Sequence, residues 1–271
     1  MKTLHKAIVI LVIAIVAVGL GLVCYLMTQG PETYELSYNF QPGESYVYDM
    51  AWKTEILGIS AELSSSETLN VLQVVGNEFN FRDSATVQMT VPGQEARTVT
   101  VVVTFKMTNK GVRSGLEIEN VEPPELRPLG EQTRGQLESF LAAIYHYPTG
   151  RIPIGSKWIV PADFQLQQEG TSISLTGECT SSLASRERLT VKAGTFDCWR
   201  LTHNISASGE MEAMGQKVTM TMSGQATSWI DIRSCVQTKV DLPLSVKMQA
   251  AGQEVAFPMN VTIELTKYQT P

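Results

Sequence analysis

The sequence predicts a mainly β protein: an N-terminal transmembrane helix followed by a curved antiparallel sheet, half-barrel or sandwich that includes one amphipathic helix. Three observations predict this class. The N-terminus contains a long uncharged apolar run, which is typical of a membrane-spanning helix. Through most of the remaining chain, apolar and polar residues alternate one by one, as they do in half-buried strands. Glycines recur between the apolar runs, where hairpin turns are expected.

The apolar run occupies residues 7–28 and predicts a signal anchor. No charged residue interrupts it from Ala7 to Met27, and about 20 apolar residues suffice to cross a bilayer. Lys2 and Lys6 precede the run, in a stub of residues 1–6, so the positive-inside rule predicts a cytoplasmic N-terminus. The predicted location is therefore the cell membrane, with a single-pass anchor and an extracytoplasmic domain over residues 31–271. A cleaved signal peptide ending near Ala17 is the alternative, but the run continues well past that residue.

The charge of the exported part is negative, with 19 Lys and Arg residues against 27 Asp and Glu residues once Lys2 and Lys6 are set aside. An acidic domain repels phosphate backbones, so nucleic acid is not an expected partner. The membrane is the partner that the anchor predicts.

Alternation predicts strands at residues 98–107, 172–179, 196–207, 217–232, 236–248 and 255–266. In the last of these, Pro258 cannot donate a backbone hydrogen bond, so we expect an edge or a bulge there. Gly93, Gly215 and Gly252 each precede a glutamine between two apolar runs and predict hairpin turns.

One segment, at about residues 131–147, has helical spacing instead, because Leu137, Phe140 and Ile144 fall on one stripe. Pro148 and Gly150 end it. This helix would join two β-rich halves, residues 31–122 and residues 150–271.

The cysteines suggest a disulfide, since an oxidising compartment permits one. In the predicted hairpin Cys198 falls opposite about Asp231, and Cys235 begins the next strand at the same end of the sheet. We therefore predict a Cys198–Cys235 disulfide at the surface. The two positions are two strand spacings apart, roughly 9.5 Å, so a bent turn is needed to close the gap. A Cys179–Cys198 pair and free thiols are the alternatives.

Motifs of catalysis and metal binding are absent from the sequence, and no cofactor is expected. The three histidines are far apart, and no HExxH, CxxC, GxSxG or phosphate-binding glycine loop occurs. Cys198 and His203 are separated by an odd number of residues, so on a strand they point to opposite faces and cannot form a nucleophile–base pair. We interpret His203 as a histidine at the edge of the core. The fold alone could bring together four further acids: Glu178, Glu187, Asp197 and Asp231.

Two glycosylation sequons, at Asn204 and Asn260, fall on the polar faces of predicted strands, where an added sugar would be accommodated.

Two stretches, "ERLTVKAGTFDCWRL" and "SWIDIRSCVQTKVDL", resemble a pattern in uncharacterised exported β-domain families of bacteria and archaea. A third, "YPTGRIPIGSKWIV", is similar to the P-x-x-x-G-x-x-W entry of those families. The resemblance covers about the second half of the chain, and Cys235 stands where the families have glycine. It implies a curved sheet or half-barrel like that of lipoprotein carriers, and no known reaction. The residues that carry it, or that pack beside them, are Ala193, Gly194, Thr195, Phe196, Cys198, Trp199, Trp229, Gly155 and Trp158.

We expect the exported domain to be a non-catalytic binding protein. A curved sheet lined by Val, Met, Phe and Trp is suited to an apolar or lipid-like ligand. A cell-envelope scaffold or adhesion protein, which would contact an envelope protein, is the alternative, and an envelope hydrolase is third.

Overall fold

The computed structural model describes residues 32–56, 59–90, 96–127, 146–161, 164–168, 171–213, 216–250 and 253–271. The predicted anchor at residues 7–28 and the predicted turns at Gly93, Gly215 and Gly252 lie outside these ranges. So does most of the predicted helix at 131–147, while His146 and Tyr147 are not helical. Within the described ranges, no helix has the length and apolar character needed to cross a membrane.

The described chain is built almost entirely of β-strands, as the alternation predicts. Each strand begins and ends as follows: β1 Thr33–Glu35, β2 Ser45–Ile56, β3 Ile59–Val75, β4 Glu78–Thr90, β5 Arg97–Thr108, β6 Arg113–Glu122, β7 Arg151–Pro153, β8 Lys157–Pro161, β9 Phe164–Gln168, β10 Thr171–Val191, β11 Gly194–Ala213, β12 Gln216–Asp231, β13 Gln237–Ala250 and β14 Gln253–Gln269. A short 3-10 turn at Pro124–Leu126 follows β6. All strand pairs are antiparallel, which confirms the predicted mainly β, antiparallel class.

Twelve of these strands form one open sheet, and β1 and β7 form a separate two-stranded ribbon. The order in the large sheet is β6-β5-β4-β3-β2-β14-β13-β12-β11-β10-β8, with β9 also paired to β10. The first and last long strands thus lie side by side in the middle, where Met50 pairs with Ile263. Pro258 lies one residue beyond the last β2 pair, Met259 with Thr54, so its missing N–H interrupts no ladder to β2, as its chemistry predicts.

One side of the sheet, which we call the core face, carries the hydrophobic core. Residues directly opposite each other in a ladder point to the same side of the sheet. Tyr48 on β2 is opposite Leu265 on β14, and Tyr46 on β2 is opposite Leu69 on β3, so all four side chains share this face. Segment 36–40 packs against it, with the Phe40 ring 5.0 Å from the Phe81 ring. The buried side chains that form this cluster include Leu36, Tyr38, Phe40, Tyr46, Phe79, Phe81, Phe105, Leu183, Trp199, Leu201, Ile230 and Leu265.

Three glycines on the core face of β10, β11 and β12 lie where the neighbouring backbone leaves no room for a Cβ atom. A Cβ atom added to Gly177, Gly209 or Gly224 would lie 2.3, 1.8 or 2.2 Å from a neighbouring backbone oxygen. The tip of the β10–β11 hairpin reaches β14, where the Ala193 N–H donates to the Leu265 carbonyl oxygen at 3.2 Å. Lys192 in the same tip is 3.0 Å from Asp49 on β2.

The predicted Cys198–Cys235 disulfide is wrong, because Cys179, Cys198 and Cys235 are all free in the structure. The two thiols point to different surroundings. Cys235 adopts a positive φ of 55° in the turn after β12 and packs into the core cluster. Cys198 contacts the Thr238 hydroxyl, with 3.4 Å between Sγ and Oγ1. Both are fully buried rather than at the surface.

The motif that carries the family resemblance has a structural role in the fold. The turn of the β10–β11 hairpin consists of Lys192 and Ala193, and Gly194 begins β11 with a φ of 138°. Thr195 then pairs with Thr190, with 2.9 Å between their hydroxyl oxygens. Trp199 is buried, with its ring 4.3 Å from the Tyr34 ring.

Candidate functional site

The core face continues well beyond the hydrophobic core. Toward the far end of the long strands, away from segment 36–40, it carries a row of half-buried apolar side chains on several neighbouring strands. We call this region the distal apolar face. Its described members are Met50, Trp52, Leu63, Val87, Val99, Val101, Ile205, Met220, Met222, Leu242, Met248, Val255, Phe257, Met259 and Val261.

Each of these side chains lies on the core face because it is directly opposite another core-face residue. Val261 faces Trp52, Met259 faces Leu244, and Met222 faces Val246. None of the members belongs to the core cluster of the described residues. Trp52 retains 36 % of its surface exposed to solvent. From Val261 to Val255, six residue steps along β14 cover about 20 Å, and the face also extends across several neighbouring strands.

Two polar clusters interrupt the core face. The first, which we call the histidine cluster, consists of Cys179 and Ser181 on β10, His203 on β11 and Ser228 on β12. Ser181 lies directly opposite His203, and Ser228 is the diagonal neighbour on the next strand. The Ser181 hydroxyl is 2.8 Å from His203 Nδ1, and the Ser228 hydroxyl is 2.8 Å from His203 Nε2. Cys179 Sγ lies 3.6 Å from the Ser181 hydroxyl.

The protonation state of this cluster follows from its burial. Desolvation lowers the pKa of His203 to about 4, so the imidazole is neutral at neutral pH. One ring nitrogen then donates and the other accepts, and the two serine hydroxyls can complement either tautomer. Burial raises the pKa of the Cys179 thiol, although its contact with Ser181 partly opposes this shift. A protonated thiol and a weakly basic imidazole are poor partners for nucleophilic catalysis.

The second group, which we call the carboxyl cluster, consists of Glu67 on β3, Asp83 on β4 and Arg113 on β6. Asp83 lies opposite Leu69, and Glu67 lies opposite Ala85, so the two acids are diagonal neighbours on the core face. Burial, followed by the charge of Glu67 and a hydrogen bond to it, raises the pKa of Asp83 to about 9. Arg113 only partly opposes that shift. The acid pair therefore holds one proton at neutral pH.

Arg113 connects the carboxyl cluster to the core. Its guanidinium carbon lies 4.7 Å from the centre of the Phe105 ring, in a cation–π contact. A cavity of about 50 Å³ beside it is lined by Glu67, Tyr48 and Gln237, together with core side chains. This cavity is large enough for ordered water but not for a ligand.

Sequence reasoning found some of these residues and missed others. The sequence indicates that His203 lies at the edge of the core, and in the structure it shares the core face with Trp199, Leu201 and Ile205. Its serine partners were missed because they come from two other strands. Asp83 could have been found, since it stands in phase with Phe81 and Ala85, where an apolar residue is expected.

Of the four acids that only the fold could bring together, the structure brings two close to each other. Asp197 and Asp231 line one polar cavity. Glu187 instead accepts a hydrogen bond from the Trp229 indole, and Lys239 lies 5.3 Å from that ring. Glu178 is exposed opposite Pro161 at the edge of the sheet.

The remaining predicted positions are structural or exposed. Gly155 has a φ of 91°, and its N–H donates to the Leu183 carbonyl oxygen at 2.7 Å. The Trp158 indole donates to the His146 carbonyl oxygen at 3.2 Å. Asn204 and Asn260 are exposed, which leaves room for a glycan at either sequon. No group of three metal-ligating side chains occurs among the residues that the structure describes.

Comparisons with known proteins give no family. No family model matches the chain, and no curated protein does. A solved structure of a predicted lipoprotein from Parabacteroides distasonis covers 87 % of this chain and 100 % of its own, with 11 % identity and a TM-score of 0.40. A predicted exported protein with a YmcC-like fold, from Bacteroides fragilis, covers 87 % of this chain and 99 % of its own, with 9 % identity and a TM-score of 0.33. At these identities and TM-scores, neither likeness assigns a function to the chain.

Proposed function

We propose that this protein is a non-catalytic binding protein, anchored in the cell membrane and facing the extracytoplasmic side, which holds a lipid-like ligand on the distal apolar face. The observation that carries the proposal is the extent of that face beyond the core cluster. Its side chains are half-buried, apart from Trp52, which is 36 % exposed, and ligand sites are lined predominantly by apolar side chains of this kind. The uncharged N-terminal run supports the location.

The polar clusters support binding rather than reaction. Ligand sites are mostly apolar and contain a few polar groups that orient the ligand. The histidine cluster is neutral and the carboxyl cluster shares a proton, so both present hydrogen-bonding groups at little net charge. None of the described thiols has a lowered pKa, which a cysteine nucleophile would need: burial raises that of Cys179, Cys198 and Cys235.

Native mass spectrometry of the full chain, released from mild detergent, tests the proposal. We expect the wild-type protein to carry additional mass that lipid extraction identifies as one lipid class. Val261→Glu places a charge on the distal apolar face and should reduce the bound fraction at least tenfold, since burying an unpaired charge is costly.

Thr262→Glu is the matched control, because Thr262 is the next residue of the same strand and is exposed on the opposite side of the sheet. It should bind like the wild type. Both variants keep the same N-terminal run, so lipid held by an anchor would be equal in the two. Equal lipid in Val261→Glu and Thr262→Glu, or none in the wild type, would contradict the proposal. The second result would favour an envelope scaffold.

A further inference from the structure

A second cavity, separate from the distal apolar face, lies where the turn after β12 meets the end of β14. Its volume is about 430 Å³, within the range of small-molecule sites. The walls are segment 39–46, the start of β11, the turn at residues 231–236 and the end of β14. Its lining is mainly polar and charged, unlike that of the distal apolar face.

The carboxylates of this cavity already have donors. Glu44 is only 6 % exposed and accepts hydrogen bonds from the Tyr46 hydroxyl at 2.8 Å, from the Tyr268 hydroxyl at 2.9 Å and from the Gln41 N–H at 2.8 Å. These three donors satisfy both of its oxygens. The Glu44 carboxylate is therefore a fixed part of the wall rather than a free acceptor.

Asp231 is engaged in the same way. Its Oδ2 atom accepts from the backbone N–H groups of Arg233 and Ser234, at 3.2 and 3.0 Å, and from the Ser234 hydroxyl at 2.8 Å. Asp197 lies 3.8 Å from the guanidinium of Arg186. Each of the three acids thus has at least one donor or cation of this protein as a partner.

Two cations of the cavity are not engaged. The guanidinium groups of Arg188 and Arg233 form no ion pair within 4.0 Å and no hydrogen bond with the residues that the structure describes, although Arg188 lies directly opposite Asp197 in the β10–β11 ladder. They reach the cavity from different elements, β10 and the turn after β12. A guanidinium offers a planar fork of donors that matches a carboxylate or a phosphate. Both guanidinium groups can therefore donate hydrogen bonds to a carboxylate or phosphate of a ligand.

The cavity also contains an aromatic platform. The Tyr46 and Tyr268 rings are stacked, with centroids 5.0 Å apart and planes at 20°. Tyr46 is buried, whereas Tyr268 is 39 % exposed and can pack against a ring. Phe196, Thr195 and Asn39 line the same space.

We propose that this cavity binds a small ring-bearing organic anion, the size of a monosaccharide with a carboxylate or phosphate group, held by Arg188 and Arg233 and packed on Tyr268. This site does not depend on the distal apolar face. Anion binding in the cavity and lipid binding on the distal apolar face are therefore tested independently of each other.

Isothermal titration calorimetry of the full chain, in detergent at low salt, tests the site with four probes. Glucuronate supplies a sugar carboxylate, glucose 6-phosphate supplies a sugar phosphate, glucose supplies the ring alone, and inorganic phosphate supplies the charge alone. We expect at least one of the two sugar anions to bind at least tenfold more tightly than glucose and than inorganic phosphate. Which of the two binds more tightly identifies the anionic group.

The variants Arg188→Gln and Arg233→Gln should each weaken that binding at least tenfold, and added salt should weaken the wild-type binding. Arg82→Gln is the matched control, because Arg82 is an exposed arginine on β4 outside the cavity; it should bind like the wild type. Tyr268→Ala should weaken both sugar anions but not inorganic phosphate. Equal binding of glucose, unchanged affinity in the two arginine variants, or no heat with either sugar anion at millimolar concentration would overturn the proposal.

Discussion

The histidine cluster makes the stability of this protein sensitive to mild acid. The pKa of His203 is about 4 in the folded protein, against 6.5 for an ordinary histidine. Between these values the unfolded chain binds a proton that the folded chain does not. The stabilisation is therefore fully present above pH 6.5 and is lost as the pH falls toward 4. At 1.36 kcal/mol for each unit of pKa, this loss amounts to up to about 3 kcal/mol.

The variant His203→Gln isolates the effect, because glutamine offers a donor and an acceptor but does not titrate. Its free energy of unfolding, measured by chemical denaturation from pH 7.5 to 4, should be compared with that of the wild type at each pH. Because both proteins contain all the other titrating groups, the contributions of those groups cancel in the difference between the two free energies of unfolding. We expect the variant to gain relative to the wild type as the pH falls, by up to about 3 kcal/mol in total.

Ser228→Ala is the control for packing. It keeps the imidazole but removes one buried partner, so it should lower stability by about 1–3 kcal/mol while retaining the acid sensitivity of the wild type. A difference between His203→Gln and the wild type that stays constant from pH 7.5 to 4 would refute the reasoning.

Three further predictions concern other parts of the sheet. Asp83→Asn should stabilise the protein at pH 8, because the folded wild type keeps a proton on Asp83 that the unfolded chain has lost. The difference in free energy of unfolding between the variant and the wild type should widen by up to about 1.4 kcal/mol per pH unit between pH 5 and 8. Chemical denaturation measures this difference, with Asp49→Asn as the control, and parallel stability curves for Asp83→Asn and the wild type would contradict the prediction. Gly209→Ala should lower the free energy of unfolding by at least about 2 kcal/mol, because the added Cβ would lie 1.8 Å from the Ser174 carbonyl oxygen. Thermal unfolding compares this variant with the control Ser208→Ala, and equal unfolding midpoints would contradict the close approach of the two backbones. The full chain, unfolded without reductant and then alkylated, should gain four alkyl groups, one for each cysteine; a gain of two would reveal a disulfide.

Much of the strand pattern is readable from the sequence because it is local. A strand that is buried on one side has apolar residues at alternate positions, so strands such as β14 and the hairpin pairing of Cys198 with Asp231 could be predicted. The alternating pattern could not decide whether the disulfide forms, because that depends on the direction of the Cys235 side chain, and Cys235 has a positive φ of 55° in its turn. Long-range features leave no such local signal. The pairing of β2 with β14, and the convergence of Arg188 and Arg233 on one cavity, depend on segments distant in the chain.

The placement of β14 beside β2 has a kinetic consequence. Strands β2 to β6 form a meander of local contacts, and so do strands β10 to β14, but the sheet becomes continuous only when the last strand pairs with one about 200 residues earlier. Until then β2 and β14 each present an unpaired backbone edge, which other chains can capture. Joining the two meanders should therefore be the slow step of folding, and chains that lack residues 253–271 should aggregate rather than fold to a smaller sheet.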